Sequence, residues 1–295
     1  MLSTIGKMLK ATALCFIEDS ALSRGAAIAF YTATSIAPVL LIVIGLAGLV
    51  FGREAAQNAL SDQLTGLMGK QTADVLQAAV ASAAGTSSGI AATVIGLGTL
   101  VATASGVFGE MQAALNEIWK TRTRSTSLSI FLKARVTSLG LVATLGFLLI
   151  VSLTVSAALT VFSDYLNGVF PAGKIVLPAI NFSISFVLLV VLFAAIFKFL
   201  PDRHLQWRDV ALGAVVTAFL FTVGKSLIGW YLGSSAVASS YGAAGGMIVF
   251  LLWVYYSVQI FLLGAEFTKA FANRHGSKKN RPVRRKKKVV SLAER

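Results

Sequence analysis

Several charged residues of this chain lie inside or directly beside long apolar stretches. Lys225 falls within one such stretch, Glu266 lies near the end of another, and Glu110 and Glu117 follow a third. A charge in a bilayer is costly, so such a residue usually faces protein or a water-filled cavity and marks a pathway for a substrate, an ion or a proton. The chemistry that these residues suggest is therefore the binding or passage of a charged group.

The sequence does not favour metal or redox chemistry. Cys15 is the single cysteine, which excludes an intrachain disulfide, and His204 and His275 are too far apart for a metal-ligand motif. We predict no metal, no cofactor and no catalytic residue. Of the 295 residues 56% are hydrophobic and 13% are charged, whereas soluble domains carry about a quarter charged residues. This composition is typical of a membrane protein.

The elements that must position the charged residues are predicted from apolar length, because a spanning helix needs about 20 apolar residues. Lys and Arg concentrate in alternate connections between the apolar stretches, and the positive-inside rule assigns those connections to the cytoplasm. We predict an all-α polytopic membrane protein, a bundle of six transmembrane helices with both termini cytoplasmic. The predicted spans are 26–51, 90–108, 136–162, 175–197, 210–232 and 243–267.

Two segments outside the spans have the apolar spacing of amphipathic helices. The N-terminal one has no signal-peptide pattern and predicts a helix at the membrane interface, or else a plain solvated terminus. The one after the first span predicts one or two outer-side helices that either cap a cavity or lie on the membrane surface. The apolar positions of the first are Met8, Leu9, Ala13 and Phe16. The predicted organisation is an N-terminal segment 1–24, a membrane domain 25–272 with the insert 53–89, and a basic tail 273–295.

The first span carries hydroxyl groups just before a proline. Tyr31, Thr34 and Ser35 precede Pro38, and lipid offers no hydrogen-bond partners for their hydroxyls or for carbonyls freed by the proline. This half of the span is therefore expected to face the bundle interior, with a kink at Pro38. The kink either borders a pathway or is a packing feature satisfied by the Ser and Thr side chains.

Polar residues also occur at the cytoplasmic end of the second span. Thr103 belongs to its small-residue face, which favours close helix packing. Glu110, Asn116 and Glu117 follow at the membrane edge, beside Lys and Arg residues of the same connection. They either form local salt bridges or border the pathway.

Lys225 and Glu266 occupy opposite ends of the predicted bundle. Lys225 either snorkels to the outer interface or pairs in a pathway with Asp164. Glu266 lies in the last turns of its helix, where an acid opposes the helix dipole, and Lys269 is expected to offer only a weak exposed pair. We therefore expect a partner from another helix. The candidates are Arg24, Arg135 and Lys198.

The C-terminal tail is strongly basic. A polybasic segment beside a membrane helix is attracted to anionic phospholipid, and the tail has no aromatic residues for stacking on bases. We predict contact with anionic headgroups and no specific nucleic-acid binding. The predicted contact residues are Lys278, Lys279, Arg281, Arg284, Arg285, Lys286, Lys287 and Lys288.

Three motifs resemble the YihY/BrkB family of bacterial inner-membrane proteins. They are Ala29-Phe30-Tyr31-Thr32 with Ser35 and Pro38, the block from Glu110 to Trp119, and the last span with Tyr241-Gly242-Ala243-Ala244-Gly245-Gly246, Leu251-Leu252-Trp253-Val254-Tyr255-Tyr256 and Leu263-Gly264-Ala265-Glu266-Phe267. The resemblance implies a six-helix protein of the bacterial inner membrane. Members have been labelled virulence factor, transporter and, formerly, ribonuclease BN, and the family supplies no catalytic residues to transfer.

The function that fits these features is that of a transporter or a protein handling lipids or other amphiphiles. The alternatives are a membrane assembly or scaffold protein and, least favoured, a ribonuclease. Gly242 and Gly246 provide a small-residue contact for helix pairing, which would allow a homo-oligomer. The candidate cavity or pathway residues are Tyr31, Thr34, Ser35, Pro38, Thr103, Glu110, Asn116, Glu117, Lys225, Tyr241, Tyr255, Gln259 and Glu266.

Overall fold

A computed structural model describes residues 2–68, 70–85, 106–121, 173–203, 205–234 and 243–274. The regular structure in these ranges is α-helical, so the predicted all-α class is confirmed. The helices are α1 Leu2–Glu18, α2 Ala21–Phe51, α3 Arg53–Met68, α4 Lys70–Gly85, α5 over residues 106–118, α6 Gly173–Phe199, α7 Trp207–Ser234 and α8 Ala243–Arg274. The predicted span 136–162 and most of 90–108 lie outside the described residues.

Three of the described helices are long and apolar enough to cross a membrane. They are Ala179–Phe199 within α6, Trp207–Tyr231 within α7 and Ala244–Arg274 within α8. The two parts of α2, Ala21–Ala37 and Val39–Leu49, qualify as one further span when taken together. Large apolar side chains on α6 and α7, such as Phe219 at 59% exposure, cover the outside of these helices, as lipid contact requires.

The bend predicted at Pro38 is present in α2. The two parts of the helix meet at 45° on either side of this residue, which cannot donate a backbone hydrogen bond. The hydroxyls of Thr32, Thr34 and Ser35 bond to carbonyls one turn back in the same helix, at 2.8, 2.9 and 3.1 Å. The prediction that this half faces the interior is wrong for Tyr31 and Thr34, which are exposed, and correct for the buried Ser35.

Helices α7 and α8 pack closely through two glycine–threonine contacts. The Thr268 side chain of α8 lies over Gly213 of α7, and the Thr217 side chain of α7 lies over Gly264 of α8. Each hydroxyl bonds at 2.7 Å to the carbonyl four residues earlier, so neither threonine leaves an unpaired group in the interface. Small residues allow this close approach of two membrane helices.

The main core joins α6, α7 and α8 to the shorter helices. Phe193 and Phe197 of α6 stack on Phe261 of α8, with ring centroids 6.3 and 5.3 Å apart. Leu115 and Trp119 at the end of α5 are buried in the same core. This packing fixes the end of α5 next to the C-terminal half of α8.

Helix α1 packs mainly against α8, and its buried face is only partly the predicted one. Met8 and Thr12 are buried and Phe16 is half-buried, but Leu9 and Ala13 are exposed. The buried positions therefore recur at four-residue spacing and end at Asp19, directly after the helix.

A second core lies around the C-terminal half of α2. Helices α3 and α4 form a hairpin against it, with Leu60, Leu64 and Leu76 buried beside Leu40 and Ile44 of α2. The hairpin also contacts α8. The segment predicted as one or two outer amphipathic helices is thus two helices that enclose space beside α2.

Candidate functional site

A group of charges, buried except for Lys120, joins the turn between α1 and α2 to the end of α5 and to α8. We call Asp19, Lys120, Glu266 and Lys269 the charge cluster. Lys269 Nζ lies 3.2 Å from Asp19 Oδ2 and 3.0 Å from Glu266 Oε2, and Lys120 Nζ lies 2.5 Å from Asp19 Oδ1. The carboxylate side chains are 4% and 1% exposed, so two buried acids share one lysine.

Two helix ends bring Asp19 and Lys120 together. Asp19 follows α1, and Ser20 then adopts a left-handed conformation with φ 54°. Lys120 follows α5 with φ 49°, and the Thr121 N–H bonds to the Asn116 carbonyl while the Lys120 N–H bonds to the Glu117 carbonyl. This is a Schellman cap, in which glycine is the usual left-handed residue. A non-glycine residue in this conformation carries backbone strain, which is common at functional sites.

The charge environment alters the pKa of three groups near the cluster. Burial would raise the pKa of Asp19, but contacts with Glu266, Lys120 and Lys269 outweigh it and lower the pKa below its usual value. Burial would lower the pKa of Lys120, but its bond to Asp19 outweighs burial and raises the pKa. Burial raises the pKa of Cys15, so its thiol stays neutral. Asp19 and Lys120 are thus a charged pair at neutral pH.

Three side chains on α8, those of Trp253, Gln259 and Glu266, have buried polar atoms without a partner among the described residues, and the last two are the polar side chains nearest the cluster. Glu266 Oε1 is buried without a hydrogen-bond donor among the described residues, and its neighbour Asp19 is an acceptor when ionised. Two turns earlier, the amide atoms of Gln259 are also buried without a partner in the described part of the chain. Gln259 lies against Gly25 of α2, where no side chain intervenes. Buried polar groups normally have partners, so this side of α8 is suited to a proton, a water or a polar ligand.

The predicted partner of Glu266 from another helix is wrong for Arg24 and Lys198, because the ion pair is made by Lys269 of the same helix. Arg24 pairs instead with Glu110, at 3.7 Å, and Lys198 bonds to the Leu205 carbonyl. Arg135 lies outside the described residues. The partner is Lys269, which is not the exposed lysine that was expected, because α1 packs over it and leaves it 14% exposed.

The polar residues of α5 make contacts both with the rest of the bundle and within the end of the helix. Asn116 is buried, donates to Asp202 Oδ2 at 2.8 Å and accepts from the Asp202 N–H at 2.9 Å. Glu117 makes a partly exposed pair with Lys120 at 3.4 Å. Of these residues only Glu117 makes the predicted local salt bridge, whereas Glu110 pairs with Arg24 of α2 and Asn116 bonds to Asp202, and the role of all three in a pathway stays a prediction.

The other predicted site residues are scattered. Tyr31 lies against Gly106 of α5, Tyr255 packs beside the second core, and Lys225 is exposed on α7. The Pro38 backbone is at the bend of α2. The remaining predicted residues, Thr103, Asp164, Tyr241, Lys278, Lys279, Arg281, Arg284, Arg285, Lys286, Lys287 and Lys288, lie outside the described residues.

Three residues at this site were not predicted as site residues. Asp19 and Lys120 lie in connections, and Lys269 was treated as a surface residue. In the described ranges no three His, Cys, Asp or Glu residues are grouped to hold a metal ion. The cluster can hold and exchange protons and can fix α8 to the turn between α1 and α2.

Comparison with known proteins identifies the family. The sequence model described as virulence factor BrkB matches residues 15–288. The chain belongs to this family. The match includes the charge cluster, the bend of α2 and the α3–α4 hairpin.

Curated relatives are named membrane proteins. A UPF0761 membrane protein of Alkalilimnicola ehrlichii is 27% identical over 88% of this chain and 56% of its own length. One of Mannheimia succiniciproducens is 25% identical over 89% of this chain and 88% of its own. No solved structure matches the chain. This BrkB-family chain is thus a membrane protein, and the names of its relatives state no substrate.

Proposed function

We propose that this BrkB-family protein moves or handles membrane lipids or other amphiphiles, with the charge cluster as a latch between α8 and the turn of α1 and α2. The observation that carries the proposal is that Asp19 and Glu266, both buried, share Lys269 at the end of a membrane helix. Ionisable residues placed in this way mark pathways and relays more often than they serve as anchors.

The latch has a simple chemical switch. Glu266 Oε1 lacks a hydrogen-bond donor among the described residues, and Asp19 lies beside it. A proton on either carboxyl would supply that donor and leave Lys269 with one carboxylate instead of two. The two acids and two lysines have a net charge near zero when all four are ionised. Uptake of a proton or binding of a charged headgroup therefore changes the net charge of the cluster. Proton uptake would thereby loosen the contact between α8 and α1.

The proposed topology has six spans with both termini in the cytoplasm of a bacterium. The four candidate spans, counting α2, support it, as does the distribution of Lys and Arg. In this topology the charge cluster lies at the cytoplasmic edge, and the basic tail lies on anionic lipid. Cysteine accessibility from each side of intact vesicles tests this arrangement, with Cys15 replaced first.

Lipid movement in vesicles tests the function. The protein is reconstituted with a fluorescent lipid labelled on its acyl chain, and a membrane-impermeant reductant reports the lipid that reaches the outer leaflet. We expect Glu266→Gln to slow the movement by about tenfold, equivalent to roughly 1.4 kcal/mol in the barrier. Lys10→Met, on the exposed side of α1, is the control and should match the wild type.

Two results would contradict the proposal. If the wild type moves no lipid or amphiphile at all, a scaffold role replaces it. If Glu266→Gln is as active as Lys10→Met, the cluster is a structural anchor. Thermal unfolding of both variants shows whether a loss of movement is only a loss of folded protein.

We propose no enzymatic activity for this chain. Phosphodiester hydrolysis needs a metal or a positioned base, and Glu110 and Glu117 are engaged with Arg24 and Lys120. Purified protein should therefore not cleave RNA. Cleavage that is lost in Glu110→Ala or Glu117→Ala would overturn this prediction, and cleavage unchanged in both would indicate a contaminant.

A further inference from the structure

A cavity of about 890 Å³ lies at the C-terminal end of α2 and has no role in the latch. It lies between the part of α2 that follows the bend and the α3–α4 hairpin, and it is partly open to the outside. Its volume is within the range of small-molecule sites, roughly 300–1,000 Å³. The space is large enough for a ligand, and its lining indicates which kind.

The two sides of the cavity differ in polarity. The α2 side is apolar, with Leu40, Ile44 and Leu49, and the hairpin side carries hydrogen-bonding groups among apolar side chains such as Leu60 and Leu64. On the hairpin side Gln77 of α4 donates a hydrogen bond to Ser61 of α3 at 2.5 Å, which links the two helices of the hairpin. A ligand with both an apolar and a polar part satisfies both sides.

The charges in the lining are one cation and one anion. Arg53 is at the start of α3 and Asp74 is in the first part of α4. Within the described part of the chain neither makes an ion pair. A guanidinium binds phosphate through its fork of donors, and a carboxylate accepts hydrogen bonds from an ammonium group. A zwitterionic headgroup with both groups matches this pair better than a purely anionic one.

The cavity also has an entrance from the apolar surface. Leu49 lines it and is 85% exposed, so the lining continues onto the outside of α2. Gly45 lines the cavity, and a side chain added there would meet no atom of the described residues within 4 Å. An acyl chain can therefore enter from the bilayer beside α2 without displacing a side chain.

We propose that this cavity binds a zwitterionic phospholipid with a primary ammonium headgroup, of the phosphatidylethanolamine class. The phosphate is held by Arg53, the ammonium by Asp74 and the upper acyl chain by the apolar side of α2. That this lipid is the substrate rests on the proposed function, whereas binding of the lipid in the cavity does not depend on the proposed function.

Native mass spectrometry of the full-length protein tests the site with three lipids of identical acyl chains. Phosphatidylethanolamine has both charges and N–H donors, phosphatidylcholine has both charges without donors, and phosphatidylglycerol has only the negative charge. We expect binding in that order, with about tenfold between the first and the last. Asp74→Asn should reduce this preference, and Arg53→Gln should weaken binding of all three.

Blocking the cavity provides the matched comparison. Gly45→Trp fills the space, whereas Gly109→Trp adds the same side chain on α5, where the position is also open. We expect Gly45→Trp to bind phosphatidylethanolamine about tenfold more weakly than the wild type and Gly109→Trp to bind it as the wild type does. If Gly45→Trp does not fold, Gly45→Leu provides a smaller block, and a photoreactive acyl chain on the wild type should cross-link to α2, α3 or α4.

The proposal is overturned if Gly45→Trp binds this lipid like Gly109→Trp, if the three lipids bind equally, or if cross-links fall outside these helices. These failures leave the proposed function standing when the wild type still moves lipid in vesicles. Conversely, if the wild type moves no lipid but binds the three lipids in the expected order, the cavity is a lipid-binding site and the proposed transport role is wrong.

Discussion

The two ends of α2 differ in how tightly the neighbouring parts of the chain pack around them. At its N-terminal end, Asp19, Lys120, Glu266 and Lys269 draw three parts of the chain together, and the acids are almost completely buried. At its C-terminal end, the α3–α4 hairpin leaves a cavity of about 890 Å³, with Gly45 facing open space. One end is held by specific charge contacts, and the other has room for a ligand.

This difference shows which end tolerates change. A buried ion pair that loses one partner leaves an uncompensated charge, so the closed end is sensitive to single substitutions. At the cavity, by contrast, a larger side chain can be added with little loss in the free energy of unfolding. If the protein moves lipids, the two ends divide the task, with binding in the cavity and control of motion at the cluster.

The largest effect is expected for Lys269→Met. It removes the cation shared by Asp19 and Glu266, and we expect the free energy of unfolding to fall by about 3–5 kcal/mol. Thermal unfolding in detergent measures the change, with Lys10→Met as the control. Adding Asp19→Asn to Lys269→Met should recover part of the loss, since one buried charge is then removed. An unchanged melting temperature in Lys269→Met would show that the cluster does not stabilise the fold.

Glycine-to-alanine substitutions should have opposite signs in the tight α7–α8 contact and at the open end of α2. Gly264→Ala brings a methyl group against the buried Thr217, and we expect a loss of about 1–3 kcal/mol in unfolding free energy. Gly45→Ala meets no atom and should gain about 0.5–1 kcal/mol, because alanine favours a helix over glycine. Denaturation of both variants against wild type measures the signs. Equal effects would show that the cavity is filled or that the α7–α8 contact adjusts.

Lowering the pH should destabilise the folded protein because Asp19 becomes protonated and its contacts with Lys120 and Lys269 weaken. Its pKa is lowered in the folded protein, so its stabilising contribution is present above the unfolded value of about 3.9 and is lost as pH falls through the folded value. We expect the melting temperature of the wild type to fall more steeply below about pH 4 than that of Asp19→Asn. Parallel acid profiles would mean that Asp19 is not ionised in a favourable pair.

The smallest effect is expected for Lys225→Met. Lys225 is exposed on α7 and belongs to neither the charge cluster nor the lining of the cavity. Stability should change by less than about 0.5 kcal/mol, as for surface substitutions in general. Lipid movement in vesicles should equal that of the wild type. A loss of movement at unchanged stability would restore Lys225 to the pathway.

Parts of the site followed from the sequence because they depend on local rules. The bend at Pro38 reflects a missing N–H, which no packing can supply. The burial of Glu266 followed from the cost of an acid in an apolar helix. Asp19 did not follow, because 250 positions separate it from Lys269 and no local pattern links a connection to a helix so far away. The Schellman cap at Lys120 was also missed, since its left-handed residue is not the usual glycine.

The sequence by itself determined that this is an all-α membrane protein, since apolar length and the cost of unpaired backbone groups in lipid leave few other structures. Tertiary structure alone decided which charges meet. Lys269 has the same sequence neighbours whether it is exposed or buried, and it is buried because α1 packs over it. The cavity beside α2 has the same origin, since the space between three helices depends on their relative positions and not on any one helix.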